Sequence, residues 1–199
     1  MKKISSIVIL LLLIFNTSLA NTYSTDPKMF VEELVNDAIS KLSDKNLNDE
    51  EKKNFIENIA LENVDINALG MYTLGELRKS TDTNDLDKYQ EAFKKYFLKS
   101  LTSRLTDYSS NKFEIISAEK KSAKYTIVHS KIAASSSQPE IKVDWRVYTK
   151  EPTKPLIRDL IVEGLSLART QKEEFASILN SNNNDINVLF QKLEDFVSN

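Results

Sequence analysis

The sequence predicts a single α+β domain in which a curved, four-stranded antiparallel sheet is packed by about six helices. The 199 residues include 41% hydrophobic and 28% charged residues, an ordinary globular composition for a chain of one-domain size. Apolar residues recur with the helical period in the first half of the chain, with period 2 between residues 113 and 162, and with the helical period again after residue 164. Helices on either side of a block of consecutive strands are typical of the α+β class.

The composition excludes several kinds of chemistry. The chain has no cysteine and one histidine, so disulfides, Cys-ligated metals, thiol nucleophiles and His-rich metal sites are ruled out. Three glycines leave little material for Gly-rich phosphate loops. The 27 Lys and Arg residues nearly balance the 29 Asp and Glu residues, which argues against broad binding to nucleic acid because such binding needs clustered cations.

The beginning of the chain has the three parts of a secretory signal peptide. Two lysines precede an almost purely apolar run over residues 4–15, and small residues then lead up to Ala20. The run is shorter than the ~20 residues of a membrane-spanning helix. We therefore expect residues 1–20 to be a signal peptide that is cleaved after about Ala20, and residues 21–199 to be one exported domain. The alternative is an uncleaved N-terminal anchor.

Four helices are predicted before the strands. The first covers residues 27–43 behind the capping residue Asp26, and the second begins at Asn48 or the residue after it. The third, over residues 66–78, has helical periodicity but contains two glycines. The fourth and longest is expected to be capped by Asn84 or the residue after it.

Four strands and two further helices follow. The first strand begins at Phe113, and the others cover residues 125–132, 141–148 and 156–162, with a loop at 135–139. Within residues 141–148 apolar and polar side chains alternate, as in a strand with one buried face. Helical periodicity then returns in two segments, which an asparagine-rich break separates.

Candidate catalytic residues are few. His129 lies in a predicted strand with no nucleophile-bearing turn beside it, and we interpret it as a structural histidine. Asp144 and Glu163 could act as an acid–base pair, or could lie on a solvated face and pair with Arg146 or Arg158. Three aspartates at the start of the longest helix superficially suggest a calcium loop, but the required glycine and distal glutamate are missing.

Several segments together have a pattern of motifs that points to one family. In chain order they are LGMYTLGELRK at 69–79, YQEAFKKYFL at 89–98, WRVY at 145–148, IRDLIVEGLSL at 157–167 and QKEEF at 171–175. The run Asp-x-x-Val-Glu-Gly-x-Ser-Leu within them is the most specific part. The chain resembles the MlaC-type periplasmic phospholipid carriers, also called the toluene-tolerance auxiliary components of ABC transporters, over roughly residues 27–197. It departs from the family at residues 182–184, where asparagines stand in place of a common glycine.

The resemblance implies an NTF2-like, cone-shaped form of the predicted fold and a role as a soluble periplasmic carrier. Such a carrier holds phospholipid acyl chains in an apolar cavity. It moves them between an inner-membrane ABC transporter complex, with its MlaD-type substrate-binding subunit, and an outer-membrane lipoprotein–porin complex, and so maintains outer-membrane lipid asymmetry. The resemblance implies a monomer without enzymatic activity or cofactor, with phospholipid as its cargo. Because each buried methylene is worth about 0.8 kcal/mol, acyl chains can cross water only inside an enclosing apolar space.

If this resemblance holds, the acyl chains should contact apolar side chains that face inward from the helices, the third strand and the C-terminal part. We predict lipid contacts for Met71, Leu74, Phe93, Phe97, Leu101, Val143, Trp145, Val147, Ile161, Leu165, Phe175 and Leu179. Each of them could equally be an ordinary core residue, because periodicity does not separate core-filling from cavity-lining side chains.

Two other classes of function stay open. One is a small-molecule isomerase or hydratase that uses His129 and Asp144 in an apolar pocket. The other is an envelope adaptor without a ligand, whose apolar stripes contact partner proteins. A related variant of the carrier has small hydrophobic solvents as its cargo.

Overall fold

The structure, a computed structural model, describes residues 23–105, 112–134, 139–150 and 154–198. The predicted signal peptide lies outside the described residues, and so does most of the predicted loop at 135–139. Within the described ranges, no helix is both long enough and apolar enough to cross a lipid bilayer.

Six α-helices and five strands are found in these ranges. The helices before the sheet are α1 (Pro27–Ser43), α2 (Asp49–Asn63), α3 (Ile66–Thr73) and α4 (Thr83–Leu105), with a short 3₁₀ helix at Gly75–Lys79 between the last two. The strands are β1 (Phe113–Lys120), β2 (Tyr125–Ile132), β3 (Ile141–Tyr148), β4 (Leu156–Val162) and β5 (Leu165–Ser166). The last two helices are α5 (Leu167–Asn180) and α6 (Ile186–Ser198).

The predicted α+β class is confirmed. All neighbouring strands pair antiparallel in the sequential order β1-β2-β3-β4-β5. The register shifts by one residue at Ile116 in β1 and at Arg158 in β4, and such bulges bend a sheet. The sheet has a fifth strand that the sequence analysis did not predict. Glu163 and Gly164 both have positive φ, at 49° and 81°, and this tight turn folds β5 back onto β4.

Capping side chains explain where the helices begin. Asp26 and Asn48 cap α1 and α2 as predicted, and Asn48 forms a reciprocal capping box with Glu51. The prediction for α4 was wrong by two residues or more, because the aspartate that caps it is Asp82. Its carboxylate accepts the backbone N–H of Asp85 at 3.0 Å, so the helix begins at Thr83.

The two glycines of the third predicted helix, Gly70 and Gly75, have different structural roles. A Cβ atom at Gly70 would lie 2.9 Å from the ring of Phe93, so glycine permits the close approach of α3 to α4. Gly75 has a φ of 65°, and there the α-helix gives way to the 3₁₀ helix. The segment predicted as one helix over 66–78 is therefore two.

Buried apolar side chains of the described residues form two clusters, and the half-buried Val64 packs against both. The sheet cluster joins α1 to one face of the sheet and consists of Phe30, Val31, Leu34, Val128, Val147 and Ile157. The helix cluster joins α3 to the later helices and consists of Ile66, Leu69, Leu74, Tyr89, Phe93, Ala168, Phe175, Leu179, Leu189 and Leu193. The face of the sheet that does not meet α1 therefore turns toward α3 and α5.

Candidate ligand-binding cavity

A half-open cavity of about 720 Å³ lies between α3 and the sheet. Ile127 of β2 and Arg146 of β3 lie opposite each other on neighbouring strands, and both line the cavity. The next residues along the two strands, Val128 and Val147, belong to the sheet cluster. Because neighbouring residues of a strand point to opposite faces, the cavity lies on the face away from α1. Its volume is within the range of about 300–1,000 Å³ typical of sites for small molecules.

The floor of the cavity is apolar. Leu69 of α3, Ile127 of β2 and Ala168 of α5 line it and are each less than a tenth exposed. Ile161 of β4 lines it as well and is half-buried. A ligand here would meet hydrocarbon from four elements at once.

The rim is polar and more exposed. Tyr72, Lys121 and Arg146 line the cavity with well-exposed side chains. Lys121 lies 2.6 Å from the carboxylate of Glu119, and the hydrogen bond between them holds the pKa of Glu119 below its usual value. The cavity therefore combines a hydrocarbon floor with a charged mouth, the division that an amphiphilic ligand needs.

His129 and Asp144 form a cross-strand pair inside the cavity. His129 Nδ1 lies 2.8 Å from Asp144 Oδ1, and His129 Nε2 lies 3.9 Å from a Glu119 oxygen. Of the partners considered for Asp144 from the sequence, His129 is the one that the structure places against it; within the described residues, Asp144 forms no ion pair with Arg146 or Arg158. The Glu163 carboxylate instead accepts the backbone N–H of Lys142.

Arg158 closes one end of the cavity by fastening α3 to the sheet. Its guanidinium donates to Asp65 through Nε at 2.8 Å and to the Tyr125 hydroxyl through Nη1 at 3.0 Å, and it stacks on the ring of Tyr148. Partial burial opposes the charged form, yet the hydrogen bonds to Tyr125 and Asp65 raise the pKa of Arg158 above its usual value. Asp65 also caps α3 by accepting the N–H of Ala68. The ion pair between Asp65 and Arg158 therefore fixes the N-terminal end of α3, the helix that forms this wall of the cavity.

The most specific sequence motif proves to be a joint between β4 and α5. Asp159 is nine-tenths buried or more, and its carboxylate accepts the Ser166 hydroxyl at 2.6 Å and the Ala168 N–H at 3.0 Å. Ser166 in turn caps α5 by accepting the N–H of Arg169. With the tight turn at Glu163, this joint holds Ala168 in the cavity wall.

The twelve residues predicted to contact lipid are distributed over several parts of the molecule. Ile161 lines the cavity, Met71 and Leu101 are half-buried, and Leu165 was wrongly expected to face inward, since it is 68% exposed on the short edge strand. The others belong to or pack against the two apolar clusters or are buried near them: Leu74, Phe93, Phe97, Phe175 and Leu179 among the helices, and Val143, Trp145 and Val147 on the α1 side of the sheet. Their contacts with lipid stay a prediction.

Sequence reasoning missed most of the cavity lining because it assigned the apolar side of β3 to the ligand. The side that lines the cavity has the polar residues Asp144 and Arg146. The alternation of apolar and polar residues in β3 could have indicated this second face. Its polar residues are flanked by Tyr125 and Arg158, and a polar strand face with such neighbours need not face bulk water.

The comparisons with known proteins place the chain in a family. The family model described as MlaC protein matches residues 32–195, most of the chain, and the chain belongs to the MlaC family. Among solved structures, the chain is similar to the phospholipid-binding protein from Ralstonia solanacearum, solved in complex with a phospholipid. The TM-score is 0.70 at 17% sequence identity, over 90% of this chain and 98% of that one. The comparison with curated proteins finds no significant match.

Proposed function

We propose that this protein is a periplasmic carrier that binds phospholipid with its acyl chains in the cavity between α3 and the sheet. Membership of the MlaC family is the observation on which the proposal rests. The similar fold of a protein that binds phospholipid supports it, as does the cavity with an apolar floor and a polar rim. Residues 1–20 act as the export signal, and residues 21–199 form the carrier.

The proposal extends to the route of the lipid. The carrier exchanges phospholipid with an inner-membrane ABC transporter complex through its MlaD-type subunit and with an outer-membrane lipoprotein–porin complex, and so maintains lipid asymmetry. Hydrophobic transfer supports an exchange with partners rather than free release, because acyl chains leave a cavity for water only at about 0.8 kcal/mol per methylene. Binding needs no metal, nucleophile or nucleotide.

Filling the cavity tests where the lipid binds. Ala68 lies on α3 in the cavity wall, so Ala68→Trp should occupy the space that the acyl chains need. Ala176 is an exposed residue of α5, so Ala176→Trp is the matched control. Native mass spectrometry and lipid extraction of the exported proteins should find phospholipid on the wild type and the control, and at least about tenfold less on Ala68→Trp, equivalent to a loss of about 1.4 kcal/mol.

The proposal fails if the wild type carries no phospholipid after purification and takes none from liposomes. Equal loading of Ala68→Trp and the wild type would refute this cavity as the binding site. An unchanged far-UV spectrum of Ala68→Trp, showing that the variant is folded, accompanies the second comparison.

A second candidate function has one specific observation in its favour. His129 and Asp144 are hydrogen-bonded within the cavity, an arrangement in which a carboxylate can orient a catalytic imidazole. Replacing His129 by Gln separates the two functions. Lipid loading of His129→Gln should equal that of the wild type, because the carrier needs no proton transfer, whereas acid–base turnover of a small molecule would collapse.

A further inference from the structure

We propose that Arg146 at the rim of the cavity binds the phosphodiester of the lipid, so that the carrier distinguishes phosphate-bearing lipids from uncharged lipids with the same acyl chains. This inference rests on the proposed function and specifies the ligand chemistry of the same cavity. Recognition of the phosphate is assigned to one side chain. The apolar floor cannot provide it, because hydrocarbon contacts are the same for a phospholipid and a diacylglycerol.

The first argument is that the donors of Arg146 are available. Its side chain is 44% exposed, and its guanidinium forms an ion pair with Asp159 at 3.6 Å, a distance too long for a hydrogen bond. In the part of the chain that the structure describes, this guanidinium therefore donates no hydrogen bond. The Asp159 carboxylate is already engaged by Ser166 and Ala168. It compensates part of the charge of Arg146 and leaves the planar set of N–H donors to a ligand.

The second argument is that the other cations of the cavity are committed. Arg158 is held by Asp65 and Tyr125, and Lys121 is paired with Glu119. Arg146 differs from both because its ion pair with Asp159, at 3.6 Å, is too long for a hydrogen bond and leaves its N–H donors without acceptors in the described residues. Guanidinium groups match phosphate oxygens in geometry and bind them with paired charge-assisted hydrogen bonds.

The third argument is position. Arg146 pairs in register with Ile127 on the neighbouring strand, and Ile127 is part of the apolar floor. A phosphate on the guanidinium would thus lie where the floor meets the mouth, next to the first methylenes of its acyl chains. Two carboxylates on this face have other partners within the described residues: Asp144 is hydrogen-bonded to His129 at 2.8 Å, and Glu119, in register with Ile127, is paired with Lys121 at 2.6 Å.

Binding of short-chain lipids that dissolve as monomers tests the inference. Delipidated protein is titrated by calorimetry with dihexanoylphosphatidylglycerol, with dihexanoylglycerol and with glycerophosphate. The wild type should bind the phospholipid about tenfold more tightly than the uncharged lipid, the worth of one good charge-assisted contact at a partly exposed site. Arg146→Gln should reduce this ratio to about twofold or less without changing the affinity for dihexanoylglycerol. Arg146→Lys should retain part of the ratio, because it keeps the charge and loses the paired donors.

The control is Arg169→Gln, which removes an equally charged, exposed arginine of α5 that pairs with Glu173. It should leave the ratio at the wild-type value. The inference is overturned if the wild type binds both lipids equally, if Arg146→Gln keeps the full ratio, or if glycerophosphate alone binds as tightly as the phospholipid, which would indicate a site for soluble phosphates. If the wild type binds neither lipid, the proposed function itself fails, an outcome distinct from these three.

Discussion

At the scale of single residues, Asp159 gives the most specific motif of the sequence a structural role. Its buried carboxylate joins the Ser166 hydroxyl to the N–H of Ala168 and lies close to Arg146. A buried acceptor of this kind is costly to alter, because its partners lose hydrogen bonds that water cannot replace. We infer that the motif is needed to hold α5 against β4.

Replacing Asp159 by Asn should therefore destabilise the protein by about 1–3 kcal/mol. The amide has the same shape but one acceptor fewer, and it removes the charge beside Arg146. Urea unfolding followed by circular dichroism measures the free energy of unfolding. Asp87→Asn, an exposed change on α4, should stay within about 0.5 kcal/mol of the wild type; equal stability of the two variants would show that the joint contributes little.

At the scale of elements, the position of α3 depends on a few contacts with β4. The backbone N–H of Asp65 donates to the Ile157 carbonyl at 2.9 Å, and the Asp65 carboxylate lies 2.6 Å from Arg158 Nη2. These contacts join residues more than ninety positions apart in the sequence. They fix one end of the helix that forms the cavity wall.

A double-mutant cycle on Asp65→Asn and Arg158→Met should give a coupling energy of about 1–2 kcal/mol, above the value for exposed pairs because both side chains are partly buried and the contact is short, at 2.6 Å. Thermal or urea unfolding of the four proteins supplies the energies. A coupling energy near zero would mean that the pair does not anchor α3. The i,i+4 pair Arg169–Glu173 on the exposed face of α5 is the reference, with an expected coupling of about 0.5 kcal/mol or less.

Local sequence signals, such as capping residues and hydrophobic periodicity, predicted the helices and strands well. They predicted the contacts between elements that are distant in sequence poorly. The capping residue Asp26 and the helical period give α1 over 27–43, which is also its observed extent, because both signals act within one turn of helix. The pair Asp65–Arg158 could not be predicted in this way, since it depends on which strand comes beside α3. The choice of sheet face failed for the same reason: alternation in β3 separates two faces but does not say which of them is covered by α1.

At the scale of the whole molecule, the two apolar clusters meet at Val64 but leave a cavity between α3 and the face of the sheet opposite α1. The sheet cluster is closed by α1, and the helix cluster is closed by α4 and α6. Between α3 and the opposite sheet face, side chains such as Arg146 and His129 are too polar to form an ordinary core. The account therefore predicts acyl chains against Leu69, Ile127 and Ile161, with the headgroup at the rim.

A phospholipid with a photoactivatable group near the end of one acyl chain tests this placement most directly. The protein is loaded from liposomes, irradiated and digested, and the labelled peptides are identified by mass spectrometry. The account predicts label on α3, β2, β4 and the start of α5, the elements of the cavity floor, and its loss in Ala68→Trp. Label confined to α1 or α6, or no label on a protein that is folded and exposed to lipid, would contradict it.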